Sequence, residues 1–264
     1  MSRLPLIIGH RGASALAPEN SLAAFRRAIA AGADGIEFDV RLSRDGVAVV
    51  IHDSSLERTG LLKQRVSELT AAELQSTDIG RWFSRLKKKG TVSDFDFADE
   101  PVPLLAQVFE LFDKNLGLLY LEMKADAGEG PELVAEVVRM IQASAVRARV
   151  IVECFDLSLI AEVKTQDATI RTAALFEPKL SKPTSFVRRD YPQMAAEVGA
   201  DEIALHHSLA GRRNIEAALR LNQKVVVWTV DNPAWVSKAT DWDISALITN
   251  NPSVLLAARD ASGV

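Results

Sequence analysis

The sequence predicts an α/β fold, an eight-stranded parallel barrel with helices around it. Short apolar runs alternate with helix-patterned segments along the chain, and near-continuous apolar runs are typical of strands that a parallel sheet buries on both faces. The length of 264 residues is normal for one barrel of this kind. Because 48% of the residues are hydrophobic, the chain can bury a large core, which excludes general disorder. We therefore expect residues 1–264 to form a single barrel domain.

Nine apolar runs are candidate strands, one more than the barrel needs. They span residues 6–10, 35–40, 47–52, 118–124, 150–154, 172–176, 203–206, 225–230 and 246–249. Asp45 and Gly46 lie between the second and third runs, and Asp-Gly in this position is a strong hairpin signal. We therefore expect the third run to return antiparallel over the barrel mouth, with a two-residue turn that places Asp39 opposite His52. The alternative is an ordinary third barrel strand.

Helix-patterned segments follow most of these runs. In the first segment, Leu22, Phe25 and Ile29 lie on one face. Ser21 before them and Gly32 after them are residue types typical of a helix start and a helix end. The same reasoning predicts helices over residues 104–114, 132–143, 157–165, 193–198, 213–221, 233–239 and 252–259. Strands that alternate with helices in this way indicate a parallel sheet.

An insertion over residues 53–103 interrupts this alternation. The segment is too long to be a simple connection between two elements. It holds a basic run, Lys87-Lys88-Lys89, and an apolar pair, Trp82 and Phe83. One interpretation is a solvated insertion. The other is a lid over the barrel mouth that shapes the choice of substrate.

Composition and charge exclude several classes of protein. The 31 basic and 35 acidic residues give a net charge of −4, which argues against a general nucleic-acid binder. Cys154 is the single cysteine, which excludes an internal disulfide and favours a reducing compartment. No apolar run is long enough for a membrane-spanning helix, and the first residues contain no long apolar signal segment. We expect a cytoplasmic protein without stable membrane insertion.

Three carboxylates stand at the carboxyl ends of predicted strands, where parallel barrels place their sites. Glu37 and Asp39 end the second strand with a spacing that turns both side chains to one side, and Glu122 ends the next barrel strand. Burying three carboxylates together costs too much free energy unless a cation lies among them. An all-oxygen ligand set selects a hard divalent ion, Mg²⁺ or Ca²⁺, over zinc. The sequence therefore predicts one such ion at this end of the barrel.

Cationic and imidazole side chains are predicted at the same end. Arg11 follows the first strand and Lys124 ends the strand of Glu122, and both suit an anionic substrate. His10 ends the first strand and His52 returns over the mouth. Two histidines can act as acid and base near neutral pH. Together with a metal ion, these groups indicate phosphoryl chemistry.

Two further features near strand ends have two interpretations each. Trp228, near the end of the seventh barrel strand, is either part of the core or a wall of the substrate site. His206 and His207 either face the substrate or take no part in the site. Nothing in the sequence pairs these two histidines with a partner.

Ten short motifs are spread over the chain. They occupy residues 10–14, 18–21, 35–40, 45–46, 52–53, 56–59, 103–105, 121–124, 227–230 and 248–252. The first reads His-Arg-Gly-Ala-Ser and the third reads Gly-Ile-Glu-Phe-Asp-Val. On these residues the chain resembles the glycerophosphodiester phosphodiesterase family over essentially its whole length. Asn250 departs from the family pattern, which has Asp at that position.

This resemblance implies a TIM-type (β/α)8 barrel with an inserted segment after the second histidine. It also implies hydrolysis of a small-molecule glycerophosphodiester to sn-glycerol 3-phosphate and an alcohol. The implied roles are metal binding by Glu37, Asp39 and Glu122, acid–base catalysis by His10 and His52, phosphate contact by Arg11 and Lys124, and a glycerol-side wall from Trp228. Either Glu19 or Asn20 is expected to support the metal or its waters.

Two other functions stay open at this point. One is a phospholipase D-like enzyme that acts on lysophospholipids. Its supporting features are Trp82, Phe83, Leu86 and the lysine run. The other is a catalytically silent binding module on the same barrel. The presence of both histidines and all three carboxylates disfavours that second alternative.

Overall fold

Eight parallel strands close into a barrel, as the apolar runs predict. The structure is a computed structural model that describes residues 4–86, 97–178 and 190–262. The strands are β1 (Leu6–His10), β2 (Gly35–Leu42), β3 (Ala48–Val50), β4 (Leu118–Met123), β5 (Val150–Cys154), β6 (Arg171–Phe176), β7 (Glu202–His206), β8 (Lys224–Trp228) and β9 (Ala246–Thr249). Around the barrel the order is β1-β2-β4-β5-β6-β7-β8-β9, and β9 pairs again with β1. The TIM-type (β/α)8 fold is therefore confirmed.

Helices pack around the outside of the barrel. They are α1 (Leu22–Ala30), α2 (Ala71–Gln75), α3 (Arg81–Leu86), α4 (Leu105–Asp113), α5 (Gly130–Gln142), α6 (Leu157–Gln166), α7 (Tyr191–Glu197), α8 (Arg212–Arg220), α9 (Ala234–Asp241) and α10 (Pro252–Ser262). Every helix predicted outside the insertion is present close to its predicted bounds, and Ser21 caps α1 as expected. The main core lies between these helices and the strands, while a separate apolar layer fills the barrel interior. Among the described helices, none is both long and apolar enough to cross a membrane.

The hairpin between β2 and β3 is antiparallel, as predicted, but its register differs from the prediction. Ser43 N bonds to Val47 O at 3.0 Å, which leaves three residues in the turn rather than two. Gly46 adopts a φ of +75°, the left-handed conformation that closes a three-residue turn. Asp39 consequently faces Ile51, whose N–H donates to Asp39 O at 3.0 Å. The predicted pairing of Asp39 with His52 is wrong, because His52 follows one residue later and lies beyond the strand.

The described part of the insertion packs beside the barrel. One apolar cluster joins the insertion to β3 and includes Val49, Ile51, Leu56, Val66, Leu69, Leu74, Ile79 and Val102. A second joins α3 and the end of the insertion to the α1 region through Ala17, Ala24, Phe83 and Phe97. The short helices α2 and α3 were not predicted from the sequence. The lysine run at Lys87-Lys88-Lys89 lies outside the described residues.

Polar side chains line the amino-terminal end of the barrel, and an apolar layer above them separates that end from the carboxyl-terminal mouth. Tyr120 donates its hydroxyl to Glu202 at 2.9 Å, and Arg171 pairs with the same carboxylate at 3.0 Å. Above them lie inward-facing apolar residues, among them Ile8 and Ile151, both fully buried. The polar residues that end β1, β2 and β4 therefore surround the carboxyl-terminal mouth.

Candidate active site

A cavity of about 540 Å³ opens at the carboxyl ends of the barrel strands. Its lining consists of His10, Arg11, Glu37, His52, Glu122, Lys124, Glu153, Phe155, Leu175, Glu177, Trp228 and Ile248. Seven of the eight predicted site residues therefore face one cavity, and Asp39 lies fully buried beside them. In the described part of the chain, no insertion residue after His52 lines this cavity.

Three buried carboxylates form a cluster beside the cavity. Glu37, Asp39 and Glu122 are at most 7% exposed, and each offers an oxygen within 4.8 Å of the other two. Parallel pairing places Asp39 of β2 next to Glu122 of β4, which brings the predicted set together. Burial and the neighbouring carboxylates raise the pKa of Glu37 well above its usual range and that of Glu122 to about 8. The cluster is therefore strongly self-repelling when it is fully ionised.

The donor set of this cluster fits a hard divalent cation. All three side chains supply carboxylate oxygens, the ligand type that Mg²⁺ and Ca²⁺ prefer. Asp39 Oδ1 makes no hydrogen bond within the described residues, although Lys124 Nζ lies 3.4 Å away. Burial alone would raise the pKa of Asp39, yet the charges of Arg11 and Lys124 hold it well below its usual range. At least one carboxylate is thus ionised and available at neutral pH.

Arg11 connects the loop after β1 to two of these carboxylates. Its backbone N–H donates to Glu37 Oε2 at 2.9 Å, and its guanidinium Nε lies 3.2 Å from Asp39 Oδ2. Its Nη1 donates to Glu19 Oε1 at 2.6 Å. The next residue must be glycine, since Gly12 has a φ of +80° and a Cβ there would lie 2.7 Å from the Ala24 backbone. The tight turn therefore sets where the Arg11 side chain lies.

Asn20 is the residue of the first loop that contacts the carboxylate cluster directly. Its Nδ2 donates to Asp39 Oδ2 at 2.8 Å, and its Oδ1 accepts from Asp39 N at 3.2 Å. Of the two supporting residues that the resemblance implies, Asn20 thus orients a carboxylate, whereas Glu19 contacts Arg11.

His10 is fixed in one orientation by a residue from the far end of the chain. Its Nδ1 lies 2.7 Å from Asn250 Oδ1, and its Nε2 lies 3.8 Å from Glu37 Oε2. Asn250 Nδ2 donates to Asp231 Oδ2 at 2.8 Å, so Asn250 Oδ1 is the atom that accepts a hydrogen bond from His10. This network puts the proton on Nδ1 and leaves the Nε2 lone pair free. Burial and the Arg11 charge lower the pKa of His10 to about 4.

His52 is held by a second network on the opposite side of the mouth. Its Nδ1 lies 2.6 Å from Asp53 Oδ1, and Arg58 Nε donates to Asp53 Oδ2 at 2.7 Å. Arg58 also donates twice to Glu19, at 2.7 and 2.8 Å. Burial alone would raise the pKa of Asp53, but the hydrogen bonds and charges of Arg58 and His52 outweigh burial and lower this pKa to about 2. Asp53 is therefore an anion behind the imidazole.

The wall of the cavity opposite the carboxylates is aromatic. Trp228 packs edge-on against Phe155 at 5.6 Å between ring centroids and against His206 at 5.2 Å. Its Nε1 donates to Ala204 O at 3.3 Å, which fixes the indole. Lys124 Nζ lies 5.4 Å from the Phe155 ring centre and 2.5 Å from Glu122 Oε1. Trp228 is therefore a wall residue of the cavity rather than part of the core.

Several residues of the site were not selected from the sequence. Asn250 and Asp231 hold His10, Arg58 holds Asp53 and Glu19, and Glu153 lines the cavity. Two of these residues could have been found in the sequence. Asn250 is the departure from the family pattern, and Arg58 lies in the motif at residues 56–59. His206 and His207 stack on each other at 4.1 Å but do not line the cavity.

Comparison with known proteins adds independent evidence. Residues 10–254 match the model of the Glycerophosphoryl diester phosphodiesterase family. The chain belongs to this family. The match covers nearly the whole barrel, including His10, the carboxylate cluster and Trp228. The resemblance inferred from the ten motifs is confirmed, and the protein is a phosphodiesterase.

Three relatives match along nearly their whole length. A glycerophosphodiester phosphodiesterase of Caldanaerobacter subterraneus subsp. tengcongensis is 30% identical over 251 residues, which are 95% of this chain and 96% of the relative. The solved glycerophosphodiester phosphodiesterase of Agrobacterium tumefaciens is 27% identical with a TM-score of 0.75, covering 96% of this chain and 100% of that one. An Oleispira antarctica phosphodiesterase, solved with its product sn-glycerol-3-phosphate, shares the fold at 23% identity and a TM-score of 0.83, over 97% of each chain.

Proposed function

We propose that this phosphodiesterase hydrolyses glycerophosphodiesters to sn-glycerol 3-phosphate and an alcohol, with the help of one divalent metal ion. The observation that carries the proposal is the shared cavity, in which a buried carboxylate cluster, two histidines and two cationic side chains meet. Family membership and the glycerol-phosphate product bound to the Oleispira antarctica relative support the same substrate class.

The ion would be held by Glu37, Asp39 and Glu122, and we propose Mg²⁺ or Ca²⁺ because the donors are all carboxylates. When bound, it supplies Lewis-acid stabilisation of charge on the phosphate and relieves the repulsion within the cluster. Asn20 keeps the Asp39 carboxylate in place through two hydrogen bonds. Support of this kind around metal ligands contributes strongly to affinity.

Arg11 and Lys124 provide the positive charge for the phosphate of the substrate. Both line the cavity, and both already neutralise part of the cluster through Asp39. Each stays charged at neutral pH, because the surrounding carboxylates raise the pKa of both side chains above its ordinary value despite burial. Cationic donors inside a partly buried site stabilise developing negative charge more than they would in water.

We assign the role of base to His10. Its Nδ1–H is held by Asn250, so Nε2 is the free acceptor, and its lowered pKa keeps the ring neutral at pH 7. The base takes a proton from the attacking oxygen, which belongs either to water or to the glycerol hydroxyl next to the phosphoester. In the second case a cyclic phosphate forms first, and water then opens it. Bond formation to phosphorus accompanies the departure of the alcohol oxygen.

We assign the role of acid to His52. Burial, with the charges of Arg11 and Lys124, lowers the pKa of His52, and Asp53, which accepts from Nδ1, opposes this by stabilising the charged ring that has a proton to give. The ring donates this proton to the leaving alcohol oxygen. Its position in the cavity, with about a third of the side chain exposed, also allows it to be reprotonated from solvent.

The test is a turnover assay with glycerophosphocholine and glycerophosphoethanolamine in Mg²⁺, in Ca²⁺ and in EDTA. Release of sn-glycerol 3-phosphate that depends on the ion is the expected result. Parallel assays on lysophosphatidylcholine vesicles test the phospholipase D-like alternative. Faster turnover of the lysolipid than of the soluble glycerophosphodiesters would favour that alternative. Turnover that is equal in EDTA, or no turnover of any glycerophosphodiester, would overturn the proposal. Cytoplasmic location and the lid role of the insertion stay predictions.

A further inference from the structure

Glu153 is a buried carboxyl group that faces the cavity and has no role in the mechanism above. It lies on β5, is 1% exposed, and its Oε2 has no hydrogen-bond partner within the described residues. Strand pairing places it between Glu122 of β4 and Ala173 of β6. Because the Ala173 side chain is a single methyl group, this neighbour leaves room on one side of the carboxyl group. Leaving such a group without a partner is costly in a folded protein, which indicates that something else completes it.

Few polar residues of the cavity lining are without an assigned role. On the side away from the carboxylate cluster the lining is largely apolar, with Phe155, Leu175, Trp228 and Ile248. Apart from the groups assigned to the ion, the phosphate and the proton transfers, the polar lining residues are Glu153 and Glu177. Glu177 is exposed, so water can satisfy it, whereas Glu153 lines the cavity with only 1% of its surface exposed.

A glycerol group bound in this cavity would need a hydrogen-bond partner of the kind that Glu153 can provide. Glycerol phosphate carries two free hydroxyl groups, and a hydroxyl group buried against apolar side chains loses its hydrogen bonds to water. A site that offers a partner to such a hydroxyl discriminates strongly against an analogue that lacks it. The buried carboxyl group and the hydroxyl group can therefore satisfy each other.

From this placement we infer that Glu153 is the residue that recognises a glycerol hydroxyl group of the substrate. The inference rests on the proposed function, since it concerns the same cavity and the same substrate class. It does not depend on the protonation state of Glu153, because a hydroxyl donates to a carboxylate and accepts from a carboxylic acid. Burial and nearby Glu37 and Glu122 raise the pKa of Glu153 well above its usual range.

Glu153 is distinct from the metal-binding set by geometry. Among the described residues, the acidic cluster with ligand atoms in mutual reach contains Glu37, Asp39 and Glu122 and does not include Glu153. Glu153 follows Ile151 and Val152 in an apolar strand, so the carboxyl group lies at the top of the filled interior layer. From there it faces the ligand space rather than solvent.

The experiment measures binding of two phosphate monoesters by calorimetry in Ca²⁺, sn-glycerol 3-phosphate and n-propyl phosphate. The second ligand has the same three-carbon chain and no hydroxyl group. We expect the wild-type protein to bind sn-glycerol 3-phosphate at least about 10-fold more tightly. In Glu153→Leu the preference falls below about threefold, through weaker binding of sn-glycerol 3-phosphate with little change for n-propyl phosphate. In Glu153→Gln, which keeps an acceptor and a donor, most of the preference returns.

Calcium titration of each variant separates this role from metal binding. Unchanged Ca²⁺ affinity with lost hydroxyl preference supports the inference. It is overturned if Glu153→Leu keeps the preference, or if both ligands and Ca²⁺ weaken together. The comparison of the two ligands on the wild-type protein needs no variant to fold, and equal affinities there would also overturn it. A separate measurement tests the proposed function itself: if the wild-type enzyme turned over no glycerophosphodiester, the proposed function would fail.

Discussion

The Nδ1 atom of His10 lies 2.7 Å from Oδ1 of Asn250, although 240 residues separate the two in the chain. Asn250 can accept this hydrogen bond because its amide nitrogen is engaged by Asp231. Ser14 donates to the same Oδ1 at 2.9 Å. The closure of the barrel between β9 and β1 brings the partners together, and the result is an imidazole with its Nε2 directed to the site.

Replacing Asn250 with Ala should lower kcat by about 10- to 100-fold and change KM little, because His10 loses the partner that fixes its tautomer and ring orientation. Steady-state kinetics with glycerophosphoethanolamine measure the effect. Asn115→Ala is the matched control, since Asn115 precedes β4 and bonds to Leu111 O far from the mouth. An Asn250→Ala enzyme with wild-type kcat would show that His10 needs no such support.

Loss of either histidine should reduce the rate by about 10²- to 10⁴-fold, the usual range for a positioned acid or base. The losses in His10→Ala and His52→Ala should not add fully in the double variant, because the two groups act in one proton-transfer sequence. Single-turnover rates at saturating metal check this. A His52→Ala enzyme within about threefold of the wild-type rate would remove His52 from the mechanism.

Arg58 joins the two halves of the site, since one guanidinium holds both Asp53 and Glu19. Arg58→Ala should therefore lower kcat by about 10-fold or more, and Arg58→Lys should recover part of it, because a lysine keeps the charge without the planar fork. Added guanidinium ion should restore some activity to the alanine variant. The control is Arg81→Ala, which breaks an insertion ion pair with Asp78 outside the cavity. Equal losses in both arginine variants would indicate a general structural effect.

The carboxylate cluster should make the metal-free protein less stable as the pH rises. Unfolding returns the Glu122 carboxyl group from a pKa of about 8 to 4.5, so between these values the folded state holds a proton that the unfolded state has lost. The free energy of unfolding therefore decreases as the pH rises from 4.5 towards 8. The pKa of His10, lowered from 6.5 to about 4, makes the folded protein more stable as the pH rises between these two values. The effect of Glu122 is therefore measured above that range, at pH 6.5–8.

Thermal melting in EDTA across this window tests that prediction. The midpoint should fall with rising pH, added Ca²⁺ should restore it, and Glu122→Gln should make the fall shallower because one of the coupled carboxylates is gone. Glu132→Gln, on the exposed face of α5, serves as the control. A midpoint in EDTA that stays level or increases from pH 6.5 to 8 would contradict the electrostatic account of the cluster.

The insertion should contribute stability through Phe83, which is 9% exposed and packs with Ala17, Ala24 and Phe97. Phe83→Ala should lower the free energy of unfolding by about 3 kcal/mol, typical of an aromatic side chain removed from a packed cluster. Urea denaturation measures the loss. Because described insertion residues beyond His52 do not line the cavity, headgroup preference should stay the same. A changed headgroup preference with unchanged stability would favour the lid interpretation instead.

The sequence by itself determined the barrel and most of the site. Apolar runs report burial on both faces of a strand, and parallel strands end at one edge, so polar residues that close these runs had to converge. For that reason His10, Glu37, Glu122 and Lys124 could be selected from strand ends alone, before any contact between them was known.

Contacts that depend on backbone conformation or on barrel closure were decided by the tertiary structure. The left-handed Gly46 lengthened the hairpin turn by one residue and moved His52 past Asp39, which the Asp-Gly signal could not reveal. Glu153 sits inside an apolar run, where the sequence pattern indicates burial but not what the side chain faces. The pairing of β9 with β1 set Asn250 against His10. Hydrophobic periodicity is a local property of the chain, whereas such pairings arise from the packing of segments that are distant in sequence.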